Sequence, residues 1–116
     1  MAKPPYHPET AQIDLSAVLD ALSDPLRRAI VLHLAEIGEN PCSALDHLAG
    51  KTNLTYHYAR LREAGVTRTR LEGPYRMLSL RREDLAQRFP GLLDTVIACA
   101  RREAAEGKLA PLPHEA

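Results

Sequence analysis

Residues 51–82 constrain the fold more than any other part of the chain, because they join a helical pattern, a glycine stop and a strand-like pattern. Leu54, Tyr58 and Leu61 recur at the i, i+4, i+7 spacing that places side chains on one face of a helix. Gly65 follows this stripe and is typical of the residue that ends a helix in a left-handed conformation. The first half of the stretch therefore predicts one amphipathic helix.

The second half of the stretch predicts a hairpin. Residues 66–71 and 75–80 are short strand-like runs, and the segment between them has the sequence Glu-Gly-Pro. Gly73 supplies a turn conformation, and Pro74 prevents further strand pairing because it has no backbone N–H. A helix followed by such a hairpin is typical of a helix with a wing.

Charge is distributed unevenly along the chain. Residues 51–82 contain eight Lys and Arg against two acids, a net charge of +6, whereas the whole chain has 15 basic and 15 acidic residues, so the remainder carries −6. A neutral total therefore hides one strongly basic segment, which indicates a surface for a polyanion.

The N-terminal half of the chain predicts helices. The pattern becomes helical from residue 13, with Asp14 as a candidate N-cap, and Asp24 followed by Pro25 is a strong start signal for a second helix that ends at Gly38. A short third helix is predicted for residues 42–49.

The short helix, a glycine turn and the basic helix together predict a helix-turn-helix at about 42–64, followed by a wing at about 66–80. The expected fold class is mainly α with a small β-hairpin. The length of 116 residues fits one domain, which we assign to residues 12–106. Proline-rich residues 1–11 predict a flexible N-terminal arm, and residues 107–116 a flexible tail.

Two helices near the chain ends present apolar faces that the compact centre does not need. Leu15, Val18, Leu19 and Leu22 form one face, and the helix predicted for residues 91–106 forms another. A subunit interface is the simplest use for both faces, so we expect a homodimer.

Three segments of this sequence resemble the ArsR/SmtB family of bacterial transcriptional regulators. They are ALSDPLRRAIVLHLAE at 21–36, LTYHYARLREAGV at 54–66 and EGPYRMLSL at 72–80. The resemblance implies a winged helix-turn-helix homodimer, joined through its N- and C-terminal helices, that binds an imperfect palindrome in an operator and represses transcription. The expected partner is double-stranded DNA.

The residues that we expect to contact DNA lie on the outer face of the basic helix and on the wing: Thr52, Asn53, Thr55, Tyr56, His57, Arg60, Arg68, Arg70 and Arg76. A major groove admits one α-helix, in which Asn53 can pair bidentately with adenine and Arg60 with guanine. The wing arginines suit phosphates or a narrow minor groove, contacts that add affinity more than sequence choice.

Some of these residues have alternative roles. His57 lies beside the apolar stripe and is either a DNA contact or a packed, hydrogen-bonded side chain. Thr52 is also the predicted N-cap of the basic helix. Arg27 and Arg28 are predicted to lie on a solvated face rather than at a phosphate.

Metal-ligand motifs of the resembled family are absent, so we expect no metal cofactor. The family's paired thiols correspond here to Pro41, Cys42 and Ser43, and a single thiol cannot complete a tetrahedral site. The last predicted helix contains no histidine. The small-molecule effector, if there is one, is left open.

Cys42 and Cys99 allow a redox or reactive-sulfur switch, as in some metal-free relatives, if the two Cα atoms lie within ~7 Å. The alternative is that both cysteines simply pack, since free cysteine is among the residue types most often buried.

The chain lacks a Gly-rich phosphate loop and a recognisable nucleophile with a histidine and an acid, so we do not expect an enzyme. It shows no signal peptide and no run of ~18 apolar residues, which predicts a cytoplasmic protein, associated with the nucleoid and without a membrane partner. The rival interpretation is a winged helix that binds another protein, because one fold hosts many functions. The basic segment favours DNA.

Overall fold

The structure is a computed structural model that describes residues 5–109. Within this range it contains five α-helices: α1 (Leu15–Leu22), α2 (Pro25–Ile37), α3 (Lys51–Ala64), α4 (Arg82–Arg88) and α5 (Leu92–Ala105). There are also two 3-10 turns, Thr10–Gln12 and Cys42–Leu45. The strands β1 (Asn40–Pro41), β2 (Thr67–Glu72) and β3 (Tyr75–Leu80) form an antiparallel sheet in the order β1-β3-β2. The predicted fold class, a mainly helical winged helix-turn-helix with a small hairpin, is confirmed.

Local signals place the first two helices correctly. The Asp14 carboxylate accepts a hydrogen bond of 3.1 Å from the backbone N–H of Ala17 and caps α1. Asp24 caps α2 in the same way, with 3.0 Å to the N–H of Arg27, and Pro25 occupies the first turn. These caps satisfy backbone donors that a helix start leaves without a partner, so they can be recognised without any tertiary contact.

The basic helix α3 begins earlier than its cap signal suggested. Gly50 is the N-cap, without a side-chain hydrogen bond, and Thr52 lies inside the first turn, so the prediction of Thr52 as N-cap is wrong. Gly65 ends the helix with φ 87°, as predicted. A Cβ at this position would also meet Ile13 Cγ1 at 2.7 Å, so the turn requires glycine for two reasons.

The region before α3 differs from the prediction of a helix at residues 42–49. The structure has a 3-10 turn at Cys42–Leu45, followed by further turns up to Gly50. Ser43, Asp46 and His47 are weak helix formers, and so short a segment cannot offset the cost of helix nucleation. Strand β1, which pairs with β3, was not predicted because two residues carry no periodicity.

One apolar core joins the helices to the sheet. Ile30, Leu45, Leu61 and Val66 are fully buried at its centre. Leu54 and Leu61 are both buried, which confirms the predicted stripe of α3, and Tyr58 is half-buried at its edge. No helix within residues 5–109 is long and apolar enough to cross a membrane.

The described part of the predicted N-terminal arm lies against the domain. The Tyr6 carbonyl accepts a hydrogen bond from Arg62 Nε at 3.0 Å, and His7 Nε2 accepts one from the backbone N–H of Thr69 at 2.9 Å. The arm thereby covers the free edge of β2, where an exposed N–H would otherwise be open to pairing. The first four residues of the predicted arm and residues 110–116 of the predicted tail lie outside the described residues.

Candidate DNA-binding surface

The outer face of α3 carries a row of exposed polar side chains. Thr52, Asn53 and Tyr56 are exposed, and their side chains make no hydrogen bond or ion pair within residues 5–109. Thr55 is also exposed, but its hydroxyl donates to the Lys51 carbonyl at 2.9 Å, one turn back along the same helix. Polar side chains that a rigid helix presents to solvent, with their hydrogen-bonding groups unused, are available to read base edges.

Arg60 lies at the far end of this row and is engaged with α1. Its Nη2 is 2.7 Å from the Asp20 carboxylate, and both side chains are largely exposed. Such an exposed ion pair is worth about 0–1 kcal/mol, so the guanidinium can leave it for a stronger partner. Arg60 therefore remains a candidate base contact.

His57 does not belong to the exposed row. Its side chain is only 7% exposed, and its Nδ1 lies 3.0 Å from Arg27 Nη1. The Tyr56 ring packs edge-on against the imidazole, with the ring centroids 5.1 Å apart. The structure thus corrects the expectation of a direct DNA contact, because the ring is directed toward α2, and the packed, hydrogen-bonded alternative describes the residue.

The register of the hairpin separates the three wing arginines. Arg70 pairs with Met77, whereas Leu71 pairs with Arg76. Because paired residues share a face and neighbours alternate, Arg68 and Arg70 lie on one face of the sheet and Arg76 on the other.

Acids engage the two arginines that share a face. Arg68 Nη2 is 3.3 Å from the Asp84 carboxylate. Arg70 Nη2 is 2.8 Å from Glu39 and 3.4 Å from Glu72. The hydrogen bond from Arg70 holds the pKa of Glu39 below its usual value. Both arginines are therefore partly neutralised within the protein.

Arg76 has a different environment. It is exposed and, within residues 5–109, it makes no hydrogen bond or ion pair. It lines a groove of about 600 Å³ between α3, the Cys42–Leu45 turn and the hairpin. Leu54, Tyr58 and Leu78 are among the apolar residues of this groove.

The lining of the groove is rich in basic residues. Besides Arg76 it includes Lys51 and Arg62 from α3, with Asp46 as the acid that lines it. Lys51 lies in the first turn of α3, close to the exposed row. A strand of phosphates beside the reading helix would meet these cations, and backbone contacts of this kind fix the register of a protein on a duplex. The predicted contacts did not include Lys51 or Arg62, because neither lies on the predicted reading face.

Two further arginines are placed differently from the prediction of a solvated face. Arg27 is 7% exposed and bonds to the C-terminal carbonyls of α1 as well as to His57. Arg28 donates from Nε and Nη2 to the two carboxylate oxygens of Glu103 on α5, each at 2.9 Å. The prediction is wrong because each arginine joins its own helix to elements that are distant in sequence.

The two cysteines occupy different settings. Cys42 is half-buried, its carbonyl accepts a hydrogen bond of 3.4 Å from the Tyr58 hydroxyl, and burial raises the pKa of its thiol. Cys99 is exposed on α5. The turn that carries Cys42 packs on β1 and β3, and α5 packs on α2 and α4. The switch that pairs the two cysteines stays a prediction, although a raised pKa lowers the reactive thiolate fraction of Cys42.

His33 on α2 lies close to His47, which follows the Cys42–Leu45 turn. The ring centroids of His33 and His47 are 5.5 Å apart. Within the part of the chain that the structure describes, no group of three or more His, Cys, Asp or Glu side chains is arranged to hold a metal ion.

An exposed polar helix, preceded by a short turn and followed by a basic hairpin, is the arrangement of a winged helix-turn-helix DNA-binding protein. The chain is 35% identical over 88 residues to the uncharacterized HTH-type transcriptional regulator YceK of Bacillus subtilis (strain 168), in a match that covers 68% of this chain and 82% of YceK. The chain therefore belongs to the HTH-type transcriptional regulators.

A solved structure supports the same fold. The crystal structure of an ArsR family transcriptional regulator matches with a TM-score of 0.55 and 22% identity, covering 87% of this chain and 97% of that protein. The ArsR-type winged helix-turn-helix expected from the sequence segments is thus confirmed as the fold. No protein-family model matches the chain.

Proposed function

We propose that this transcriptional regulator acts as a homodimeric repressor that binds a palindromic operator in double-stranded DNA without a metal cofactor. The observation that carries the proposal is the exposed row of Thr52, Asn53 and Tyr56, whose polar groups are unused within the described residues and lie beside the basic groove. A regulator of this kind acts where the chromosome lies, at the nucleoid in the cytoplasm.

The reading element is α3, inserted into the major groove. Asn53 offers the amide geometry that pairs bidentately with adenine, and Arg60, once released from Asp20, the fork that pairs with guanine. Thr52 and Tyr56 flank these two side chains and reach neighbouring bases or sugar oxygens. Sequence preference therefore resides in this face.

Affinity comes from phosphate contacts around the reading helix. Lys51 and Arg76, which have no acidic partner within residues 5–109, are the first cations that we assign to phosphates. Arg68 and Arg70 contribute less, because each must exchange a carboxylate for a phosphate. These contacts depend on salt, since each neutralised phosphate releases counterions.

Dimerisation uses the apolar surface of α1 and α5 that the core leaves exposed. On α1, Leu15 is 44% and Leu19 48% exposed, whereas the other two members of the predicted face are buried in the core of the same chain. On α5, Leu92 and Val96 are only half-buried, so each helix leaves apolar surface for a second copy. Two copies related by a two-fold axis present their α3 helices to half-sites about 34 Å apart, one turn of DNA.

The test measures, by fluorescence anisotropy over a salt series, the binding of the purified protein to the DNA upstream of its own gene. A scrambled duplex of equal length measures non-specific binding, and Arg102→Ala, a change of an exposed arginine on α5, is the matched control. We expect tight, salt-dependent and sequence-selective binding, with a stoichiometry of two chains per operator. Equal weak binding to both duplexes, repeated on sequences recovered from a genome-wide selection, contradicts the proposal.

A further inference from the structure

Arg27 joins three helices from a buried position. Its Nε donates to the Ala21 carbonyl at 2.6 Å and its Nη2 to the Asp20 carbonyl at 3.2 Å, both in the last turn of α1. Its Nη1 lies 3.0 Å from His57 Nδ1 on α3. The side chain belongs to α2, so a single guanidinium links α1, α2 and α3.

These bonds engage all three nitrogens of the planar arginine fork. Both carbonyls lie in the last turn of α1, which carries the negative end of the helix dipole, and Asp20 also accepts a hydrogen bond of 3.2 Å from the N–H of Ser23. A guanidinium presents five N–H donors in a fixed geometry, whereas a lysine ammonium is a point charge on a flexible stem. Lysine therefore cannot replace Arg27 at all three acceptors.

His57 lies on the boundary between the buried and the exposed faces of α3. With about 100° of rotation per residue, Asn53 lies ~40° and Arg60 ~60° to one side of His57 around the helix axis. Leu54 and Leu61 lie at similar angles on the other side. A fixed contact at His57 therefore determines how the helix is rotated and which side chains face a duplex.

We propose that Arg27 is a positioning residue for DNA recognition, which sets the rotation of α3 through its hydrogen bond to His57. The inference rests on the proposed function and deepens it. Apolar contacts at Leu54 and Leu61 hold the helix against the core, but the hydrophobic effect that drives these contacts is non-directional. The hydrogen bond supplies the direction that a bidentate base contact needs.

The contact also defines the state of the imidazole. Because arginine only donates, Nδ1 of His57 is the acceptor, and in the neutral ring the proton is then on Nε2. Two-bond ¹H–¹⁵N correlation spectra of the full-length protein distinguish the two neutral tautomers. We expect the Nε2–H form in the wild type and a change of the His57 signals in Arg27→Met. A proton on Nδ1 in the wild type overturns the inference.

The binding test uses matched changes at His57. The substitution His57→Asn keeps a hydrogen-bond acceptor two bonds from Cβ, where Nδ1 stands in histidine, and His57→Leu removes it. We expect His57→Leu and Arg27→Met each to reduce the ratio of operator to scrambled affinity by about tenfold, the value of one misplaced bidentate contact. We expect His57→Asn to retain most of the ratio, and affinity for the scrambled duplex to change little.

A variant that fails to fold is replaced by the double variant Arg27→Met/His57→Leu. Removing both partners leaves neither the guanidinium nor the imidazole buried without the other, so this protein is expected to fold even where His57→Leu alone does not. The ratio of its affinity for the operator to its affinity for the scrambled duplex should be as low as that of a single variant. A folded double variant with wild-type discrimination overturns the inference.

The proposed function can fail separately. Absence of selectivity in the wild type contradicts the function itself, whereas a selective wild type with equally selective variants contradicts only the role of Arg27. Circular dichroism melting of every variant verifies that the compared proteins are folded.

Discussion

The outer face of α3 and the wing are both polar, but they differ in how many of their polar side chains are free of partners within the protein. Thr52, Asn53 and Tyr56 on α3 have no hydrogen-bonding or ionic partner for their side chains within the described residues. On the wing, Arg68 and Arg70 are held by Asp84, Glu39 and Glu72. The number of basic residues in a segment therefore does not equal the number of cations that are free to bind DNA.

Two of the acids that engage the wing come from the chain regions that balance its charge. Glu39 precedes β1 and Asp84 lies in α4, both outside the basic hairpin. Such exposed pairs add little to stability, but they lower the free charge of the wing. Under the proposed function, these pairs reduce non-specific attraction to DNA and leave the outer face of α3 free, which favours discrimination between sequences over raw affinity.

The largest expected effect is the loss of base readout on α3. Asn53→Ala removes a bidentate pair and should reduce operator preference by about 1–3 kcal/mol, with little change for the scrambled duplex. Competition anisotropy with both duplexes measures the difference. Arg102→Ala on α5 serves as the control, and full discrimination in Asn53→Ala means that the reading face is assigned wrongly.

A smaller effect should separate two arginines of the wing. Arg76→Ala is expected to weaken binding to all duplexes equally and to lower the slope of log K against log salt by ~0.9, the value for one phosphate. Arg70→Ala should change the slope less, because its guanidinium is already paired with Glu39. Equal salt slopes for Arg76→Ala and Arg70→Ala would contradict the expectation that the two faces of the hairpin differ in their phosphate contacts.

Freeing Arg70 from its ion pair with Glu39 should strengthen DNA binding, the opposite of the effect of removing an arginine. Glu39→Gln removes the carboxylate 2.8 Å from Arg70, so we expect roughly two- to fivefold tighter binding to every duplex and a steeper salt slope. Glu36→Gln is the matched control, because it changes the charge equally but frees Arg101 on α5. An increase of the same size in both variants indicates a general charge effect and not release of the wing.

The smallest effect concerns stability in acid. The Thr10 hydroxyl, then Arg81, holds the pKa of Asp84 below its ordinary value of 3.8. A carboxyl group whose pKa is lower in the folded than in the unfolded protein stabilises the fold at pH values above the unfolded-state pKa. This contribution is lost as the pH falls through the folded-state pKa. We expect Asp84→Asn to lower Tm by about 4 °C at pH 7, and we expect this difference to shrink as the pH falls below 3.8. Melting curves from pH 7 into this acid range decide the point; an equal loss at every pH contradicts it.

Much of the fold follows from signals that act over three or four residues. The caps Asp14 and Asp24, the stop at Gly65 and the two hairpin strands are each encoded by neighbours in sequence. The turn at Cys42–Leu45 was predicted as a helix because spacing alone does not report the cost of nucleation.

The sequence by itself determined the helix, the stop and the hairpin, and with them the class of protein, because periodicity and capping are local. Only the tertiary structure decided which polar groups are available. Arg70 meets Glu39, Arg60 meets Asp20 and Arg27 meets His57 across 31, 40 and 30 positions of sequence. Such pairs depend on how elements pack, and no local pattern records that packing.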